Sequence, residues 1–317
     1  MGLGVVAEPF PYQPPESPVS QQPAISGTTA LVGVLGSPVH HSLSPVMQNA
    51  ALQAMGLDWV FLALPAPAGE LETVVRGLEA MDCRGLNVTI PHKHSVASLT
   101  RELSPLAQRL GAVNVLVPMA GGGWHGTNTD VEGFCAPLRR GGAAWSGKRA
   151  VVLGCGGSAR AVVAGLVELG FGGIQLAGRR PEALDAFLND CRAWAPQLQA
   201  LPWAGDSPAM AEALAAADLV VNTTPVGMAS ASNPAAAEAC PLSEPELSAL
   251  QPSCCVYDII YTPRPTRLLQ RAAARGCRSL DGLEMLVEQG AAALRLWSGR
   301  NDVPVEVMRQ ALLEQLP

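Results

Sequence analysis

Arg149-Ala-Val-Val-Leu-Gly-Cys-Gly-Gly-Ser-Ala159 is the stretch on which the reading of the fold turns. Arg149 to Leu153 is a short apolar run closed by glycine, the mark of a buried strand. Gly154-Cys155-Gly156-Gly157-Ser158-Ala159 then fits the pattern G-x-G-x-x-A. A lone match is weak; between a strand and a helix it has a physical meaning. Gly154 permits a tight turn, Gly156 lets the backbone approach a pyrophosphate, and Ala159 allows close packing of helix on strand. The N–H groups at the helix start, those of Gly157 and Ser158 among them, attract the anion. A helix from Ser158 to Leu169, stopped by Gly170, and a strand from Ile174 to Ala177 complete a βαβ unit. The competing reading is a glycine turn with no ligand.

The end of that second strand bears on which dinucleotide is held. A site for NAD places Asp or Glu there to bond the ribose 2′-hydroxyl. This chain has Gly178-Arg179-Arg180 and no acid. Two guanidiniums suit the extra 2′-phosphate of NADP. The competing reading is a pair of solvated surface arginines.

Working outward, strands are expected at Ala30–Leu35, Trp59–Leu64, Gly85–Val88, Val113–Val117, Leu219–Asn222 and Cys255–Ile259. Helices are expected from Ser44 to about Met55, with Ser44 as N-cap and Pro45 in the first turn, and from Glu70 to Met81. Asp130 is expected to cap a helix running to about Arg140, and two helical stretches, Leu283–Trp297 and Val303–Leu316, close the chain. Strands alternating with helices imply mainly parallel sheets in an α/β protein of two domains.

The chain has 317 residues, enough for two domains with real cores. A net charge of -6 argues against a nucleic-acid surface, which needs a basic field. No apolar run approaches the roughly 20 residues of a membrane helix. The 8 cysteines include no Cys-x-x-Cys pair and no zinc spacing, so no metal is implied and a reducing, cytoplasmic setting is expected. Residues 1–27, rich in Pro, Gln and Ser, read as a disordered extension without signal-peptide character. Met1-Gly2 fails the myristoylation pattern at Val6.

Asn87-Val-Thr-Ile-Pro-His-Lys93 places two neutral hydrogen-bonding side chains and a lysine around a proline. That suits gripping a polyhydroxylated ligand beside a proton-transfer group, and suits a core strand poorly. Gly36-Ser-Pro-Val-His-His-Ser-Leu-Ser-Pro45 puts Ser42 and Ser44 at a helix start, where spare hydroxyls can meet a carboxylate. Gly126-Thr-Asn-Thr-Asp130 brings a carboxylate to another helix start.

These motifs, with the glycine turn, resemble the shikimate dehydrogenase family from about Ala30 to the C-terminus. The resemblance implies an N-terminal substrate domain (28–128 with about 283–317) and a C-terminal Rossmann domain (129–282). It implies reversible, NADPH-dependent reduction of 3-dehydroshikimate to shikimate in aromatic amino-acid biosynthesis. Lys93 and Asp130 are then the catalytic pair, meeting over one substrate hydroxyl. Ser42 and Ser44 hold the substrate carboxylate; Asn87, Thr89, Asn114, Asp130, Tyr261 and Gln289 complete the substrate set. The cofactor set is Gly154, Gly156, Gly157, Ser158, Ala159, Gly178, Arg179, Arg180, Thr223, Met228, Ile259 and Gly282. Met228 has a competing reading as a core methionine. The chain departs from the family at Gln48, where His is common, at Gly178 and Arg180, and at Glu284, where Gly is usual. The departure at Glu284 leaves its carboxylate either at the nicotinamide edge or just outside it. No nucleic-acid or membrane partner is implied, and the assembly is a monomer or homodimer. Two alternatives remain open: a quinate/shikimate dehydrogenase using NAD or NADP, and a non-catalytic NADP-binding regulator on the same scaffold.

Overall fold

The computed structural model describes residues 25–203, 208–229 and 233–316. Most of the extension expected over residues 1–27, including the Met1-Gly2 start, lies outside the described residues. Among the described residues the chain builds two six-stranded sheets, one after the other along the sequence.

The first sheet holds β1 (Ala30–Gly36), β2 (Trp59–Pro65), β3 (Gly85–Val88), β4 (Glu102–Leu103), β5 (Val115–Pro118) and β6 (Trp124–Thr127) in the order β2-β1-β3-β5-β6-β4. β1 lies parallel to β2 and β3, whereas β5 runs antiparallel to both β3 and β6. The sequence reading missed this reversal. Between β5 and β6 the chain turns at Gly121, Gly122 and Gly123, all with φ between +83° and +89°, which only glycine adopts readily. The strand expected at Val113 starts later because Val113 N–H donates to Lys93 O at 2.7 Å, tying it to the lysine loop.

The second sheet is wholly parallel: β7 (Arg149–Leu153), β8 (Gly173–Gly178), β9 (Leu198–Pro202), β10 (Leu219–Asn222), β11 (Cys255–Asp258) and β12 (Arg278–Leu280), in the order β12-β11-β10-β7-β8-β9. That is the doubly wound order, with its reversal between β7 and β10, where Leu153 pairs with Asn222. Alternate β7 residues feed two cores: Ala150 and Val152 face one, Val151 and Leu153 the other. Burial on both faces is why β7 reads as one apolar run.

Helices α1 (Ser44–Ala54), α2 (Leu71–Ala80) and α3 (Pro105–Leu110) follow strands of the first sheet. α4 (Asp130–Arg140) leads into the second, whose helices are α5 (Gly157–Glu168), α6 (Pro181–Cys191), α7 (Pro208–Ala215), α8 (Glu244–Ala249) and α9 (Arg267–Ala274). Of these, α3 and α6–α9 carried no clear signal in the sequence reading. α10 (Leu283–Ser298) and α11 (Val305–Leu313) then return to the first sheet. Leu283, Val287, Ala291 and Leu294 form a stripe on α10 that packs with Val32, Val34, Met47 and Phe61. Each large apolar side chain so buried stabilises by roughly 1.5–3 kcal/mol. Met285 of the same helix enters the core of the second sheet, so α10 belongs to both halves.

Candidate active site

The carboxyl ends of β1 and β3 and those of β7 and β10 carry the loops singled out above. At their centre Lys93 Nζ donates to Asp130 Oδ2 at 2.7 Å, with the side chains only 21% and 11% exposed. Asn114 Nδ2 donates to the other oxygen, Oδ1, at 2.8 Å, so both carboxylate oxygens are held. Asn114 Oδ1 in turn accepts from Thr129 N–H at 2.8 Å. The amide of Asn114 is thus engaged in orienting Asp130 and Thr129. Asp130 is the first residue of α4 and Thr129 takes the cap position, one residue earlier than expected. The carboxylate remains in the first turn, where the helix dipole favours it.

Asn87 sits beside this cluster and donates through Nδ2 to Asn114 O at 3.3 Å. Its Oδ1 is buried with no partner in the protein. A buried acceptor left unpaired costs about 1–3 kcal/mol, so this atom calls for a donor from outside the protein, from water or a ligand. Gln48 is similar: Nε2 donates to Gly290 O at 3.0 Å, binding α1 to α10, while buried Oε1 is unpartnered.

The cap at α1 differs from the expectation. Leu43 is the N-cap and Ser44 the first helical residue. The Ser42 hydroxyl, not that of Ser44, accepts from the helix start, from Ser44 N–H at 3.3 Å. The Ser44 hydroxyl therefore makes no cap bond to its own helix. Thr89, Tyr261 and Gln289 make no hydrogen bond to the Lys93–Asp130 cluster among the described residues. Burial raises the Tyr261 phenol above its ordinary pKa. Gln289 Nε2 folds back to Leu286 O at 2.9 Å, and its Cβ lies 2.8 Å from where a Cβ on Gly133 would stand, so α4 and α10 touch there.

On the cofactor side Gly154 has φ +98°, and a Cβ there would sit 2.8 Å from Thr224 Cγ2. Nothing lies within 4 Å of a Cβ built on Gly156, which leaves its backbone open to an approaching pyrophosphate. α5 begins at Gly157 with Gly156 as cap, so Ser158 and Ala159 lie in its first turn. Gly282 is required by close approach, since a Cβ would fall 2.0 Å from Ile259 O. Thr223 Oγ1 donates to Leu153 O at 2.7 Å, joining the ends of β7 and β10. Met228 is 47% exposed, which removes its reading as a core residue. Gly178 is buried at the end of β8, and Arg179 and Arg180 beyond it are exposed. Among the described residues neither arginine has an ion pair. These residues fit a dinucleotide carrying a 2′-phosphate.

Asn222, Asp258 and Thr266, to which the sequence reading gave no role, tie this side together. Asn222 Nδ2 donates to Asp258 Oδ1 at 3.0 Å, and Thr266 Oγ1 donates to Asp258 Oδ2 at 2.7 Å. Burial pushes the Asp258 carboxyl up to about 6 despite the hydrogen bonds from Thr266, Ile260 N–H and Asn222. An acid at the end of a buried strand, followed by Ile-Ile-Tyr261, was the available signal. Glu284, left open above, turns outward: its carboxylate accepts from Arg140 Nη1 and Arg309 Nε, each at 2.6 Å. Burial opposes its ionisation, but hydrogen bonds from Arg309 and Arg140 outweigh it and hold the pKa low.

Residues 34–116 match the shikimate dehydrogenase substrate binding domain, and residues 282–313 match the shikimate 5′-dehydrogenase C-terminal domain. The NADP(+) shikimate dehydrogenase of Synechocystis sp. is 49% identical over 93% of this chain and 98% of its own length. This chain belongs to the shikimate dehydrogenase family. The family's members named as its relatives are NADP-dependent oxidoreductases, and this chain is one by the same kinship. Two solved structures of family fold extend the likeness. Shikimate 5-dehydrogenase from Listeria monocytogenes, in complex with shikimate and NAD, is 32% identical at a TM-score of 0.82, over 91% of this chain and 98% of that one. Quinate dehydrogenase from Corynebacterium glutamicum, in complex with NAD, is 31% identical at 0.80, over 90% and 99%.

Proposed function

We propose that this chain catalyses the reversible NADPH-dependent reduction of 3-dehydroshikimate to shikimate. The observation that carries the reading is the Lys93–Asp130 pair, held by Asn114 beside the unpartnered Oδ1 of Asn87. When bound, the nicotinamide supplies the hydride. Lys93 gives a proton to the oxygen that becomes the substrate hydroxyl, and takes it back in the reverse direction. Asp130 orients the ammonium and balances its charge. Ser42 and Ser44 receive the substrate carboxylate at the start of α1, while Asn87, Thr89, Asn114, Tyr261 and Gln289 hold the ring. Gly154, Gly156, Gly157, Ser158 and Ala159 hold the pyrophosphate. Gly178, Arg179 and Arg180 hold the adenosine end, and Thr223, Met228, Ile259 and Gly282 hold the nicotinamide end.

The substrate unit comprises residues 28–128 with about 283–317, and the cofactor unit residues 129–282. Among the described residues no helix is long and apolar enough to cross a membrane. The chain acts in the cytoplasm as a monomer or homodimer. The deciding experiment is reduction of NADP by shikimate, followed by near-ultraviolet absorbance, with quinate and NAD as controls. Turnover of shikimate with NADP well above the other combinations supports the reading. Equal use of quinate with NAD favours a quinate/shikimate dehydrogenase, and no turnover at all favours a regulator.

A further inference from the structure

Beyond the two arginines, we propose that Trp203 is a specificity-determining residue of the cofactor site, its indole face carrying the Arg179 guanidinium and holding it for the 2′-phosphate. The proposal rests on the reading of Arg179 as the phosphate clamp.

An arginine leaving a strand end into water samples many rotamers, and fixing it opposes binding. Here the Arg179 Cζ lies over the Trp203 ring, 6.0 Å from its centroid. A guanidinium on an aromatic face uses its plane for the cation–π contact. Its N–H edges stay free for the bidentate grip that suits phosphate. No carboxylate among the described residues neutralises it.

The ring beneath it is fixed from several sides. Gly178 pairs with Pro202 across β8 and β9, and Trp203 N–H donates to Gly178 O at 3.0 Å. The platform is thus bonded to the residue that precedes Arg179. At its far edge Trp203 Nε1 donates to Glu246 Oε1 at 3.0 Å. Glu246 is only 4% exposed, and its second oxygen accepts Ser243 N–H at 2.7 Å in a capping box on α8. A carboxylate taken out of water must have its oxygens satisfied, and both of these are used. The indole body packs against the core shared by β9, α7 and α8. NAD offers the guanidinium edge only a neutral 2′-hydroxyl in place of a doubly charged phosphate, so the platform acts mainly on NADP.

The test is calorimetric: dissociation constants of NADP+ and NAD+ for the wild type, Trp203→Leu, Arg179→Ala and the double variant. Trp203→Leu is expected to weaken NADP+ about 3- to 10-fold while leaving NAD+ within about 2-fold. In the Arg179→Ala background the same change should add little, because the ring works through the guanidinium. Trp203→Phe, which keeps a ring face, should recover most of the selectivity. Equal weakening of both cofactors, or unchanged NADP+ affinity, overturns the proposal, as does a fully additive double variant. If Arg179→Ala itself keeps the wild-type preference, the clamp reading fails and the platform with it. Should Trp203→Leu not fold, Trp203→Met fills the space without a ring and takes its place in the cycle.

Discussion

In the proposed substrate site Lys93 and Asp130 are largely buried and bonded at 2.7 Å, with Asn114 on the remaining oxygen. On the cofactor side Arg179 and Arg180 are exposed and carry no ion pair among the described residues. The contrast suits the roles proposed for the two groups. A proton-transfer group gains from being held in one geometry, since misplacement costs rate directly. A clamp for a diffusing, doubly charged phosphate must be open when the ligand arrives, and a resident carboxylate would compete with it. Pre-organisation on this second side lies behind the charge, in the ring of Trp203, rather than on it.

The largest effect expected is at the prebonded pair. Lys93→Ala should lower kcat by about 10²- to 10⁴-fold, with a much smaller change in KM for shikimate. Asp130→Asn should also lose kcat, and the double variant should lose less than the product of the two if they act as a unit. A Lys93→Ala enzyme within a few-fold of wild-type kcat would break the comparison on its substrate side.

Next comes the open clamp. Arg179→Ala should lower kcat/KM for NADP relative to NAD by about 10- to 100-fold, the worth of one charge-assisted pair. Arg180→Ala should act in the same direction more weakly. Steady-state kinetics with both cofactors reads the outcome, and an unchanged ratio would place the phosphate elsewhere.

Asp258 sharpens the contrast from a third position, as a buried carboxylate given neutral donors where Asp130 has a lysine. Its pKa rises from 3.8 to about 6, so the folded protein binds the proton more tightly than the unfolded chain. Its contribution to stability is present below the unfolded value and is lost as pH rises through the folded one. Asp58, Asp218, Asp302 and Glu284 are shifted the other way and act alike in wild type and variant. Urea unfolding should therefore show Asp258→Asn gaining on wild type by about 2 kcal/mol from about pH 4 to about pH 7. A difference that stays flat with pH would mean that the carboxyl does not titrate as a buried group.

The smallest effect separates two hydroxyls one residue apart. Ser44→Ala should raise KM for shikimate about 10-fold with little change in melting, because its hydroxyl caps nothing. Ser42→Ala should raise KM and also lower stability by about 0.5–1 kcal/mol, since its hydroxyl accepts from the helix start. Thermal melts beside kinetics check both; a melting loss confined to Ser44→Ala would reverse the assignment.

Much of this was legible along the chain. β3, β7 and β10 fall where the apolar runs placed them, because strands buried on both faces are mostly apolar, with Asn87 and Asn222 the buried polar exceptions in β3 and β10. The hairpin of β5 and β6 was not, since a strand of mixed character at Trp124-His-Gly-Thr127 gives little periodicity. Ser44 was read as a cap because its residue type suits one, but the chain enters the helix one residue earlier in register, at Leu43. Asn114 was read as a ligand for the ring; that its amide also holds Asp130 and Thr129 was not legible, because it depends on how the β5–β6 hairpin returns the start of α4 beside Asn114.

The amino-acid sequence by itself determined the glycine turn, the lysine loop and the absence of an acid after β8, because each needs particular side chains at fixed local spacing. Only the tertiary structure decided which way Glu284 turns, which neighbours hold Asp130, and what lies beneath Arg179. Those depend on where α4, α8 and α10 come to rest. That is set by the packing of whole cores, not by the few residues around each group.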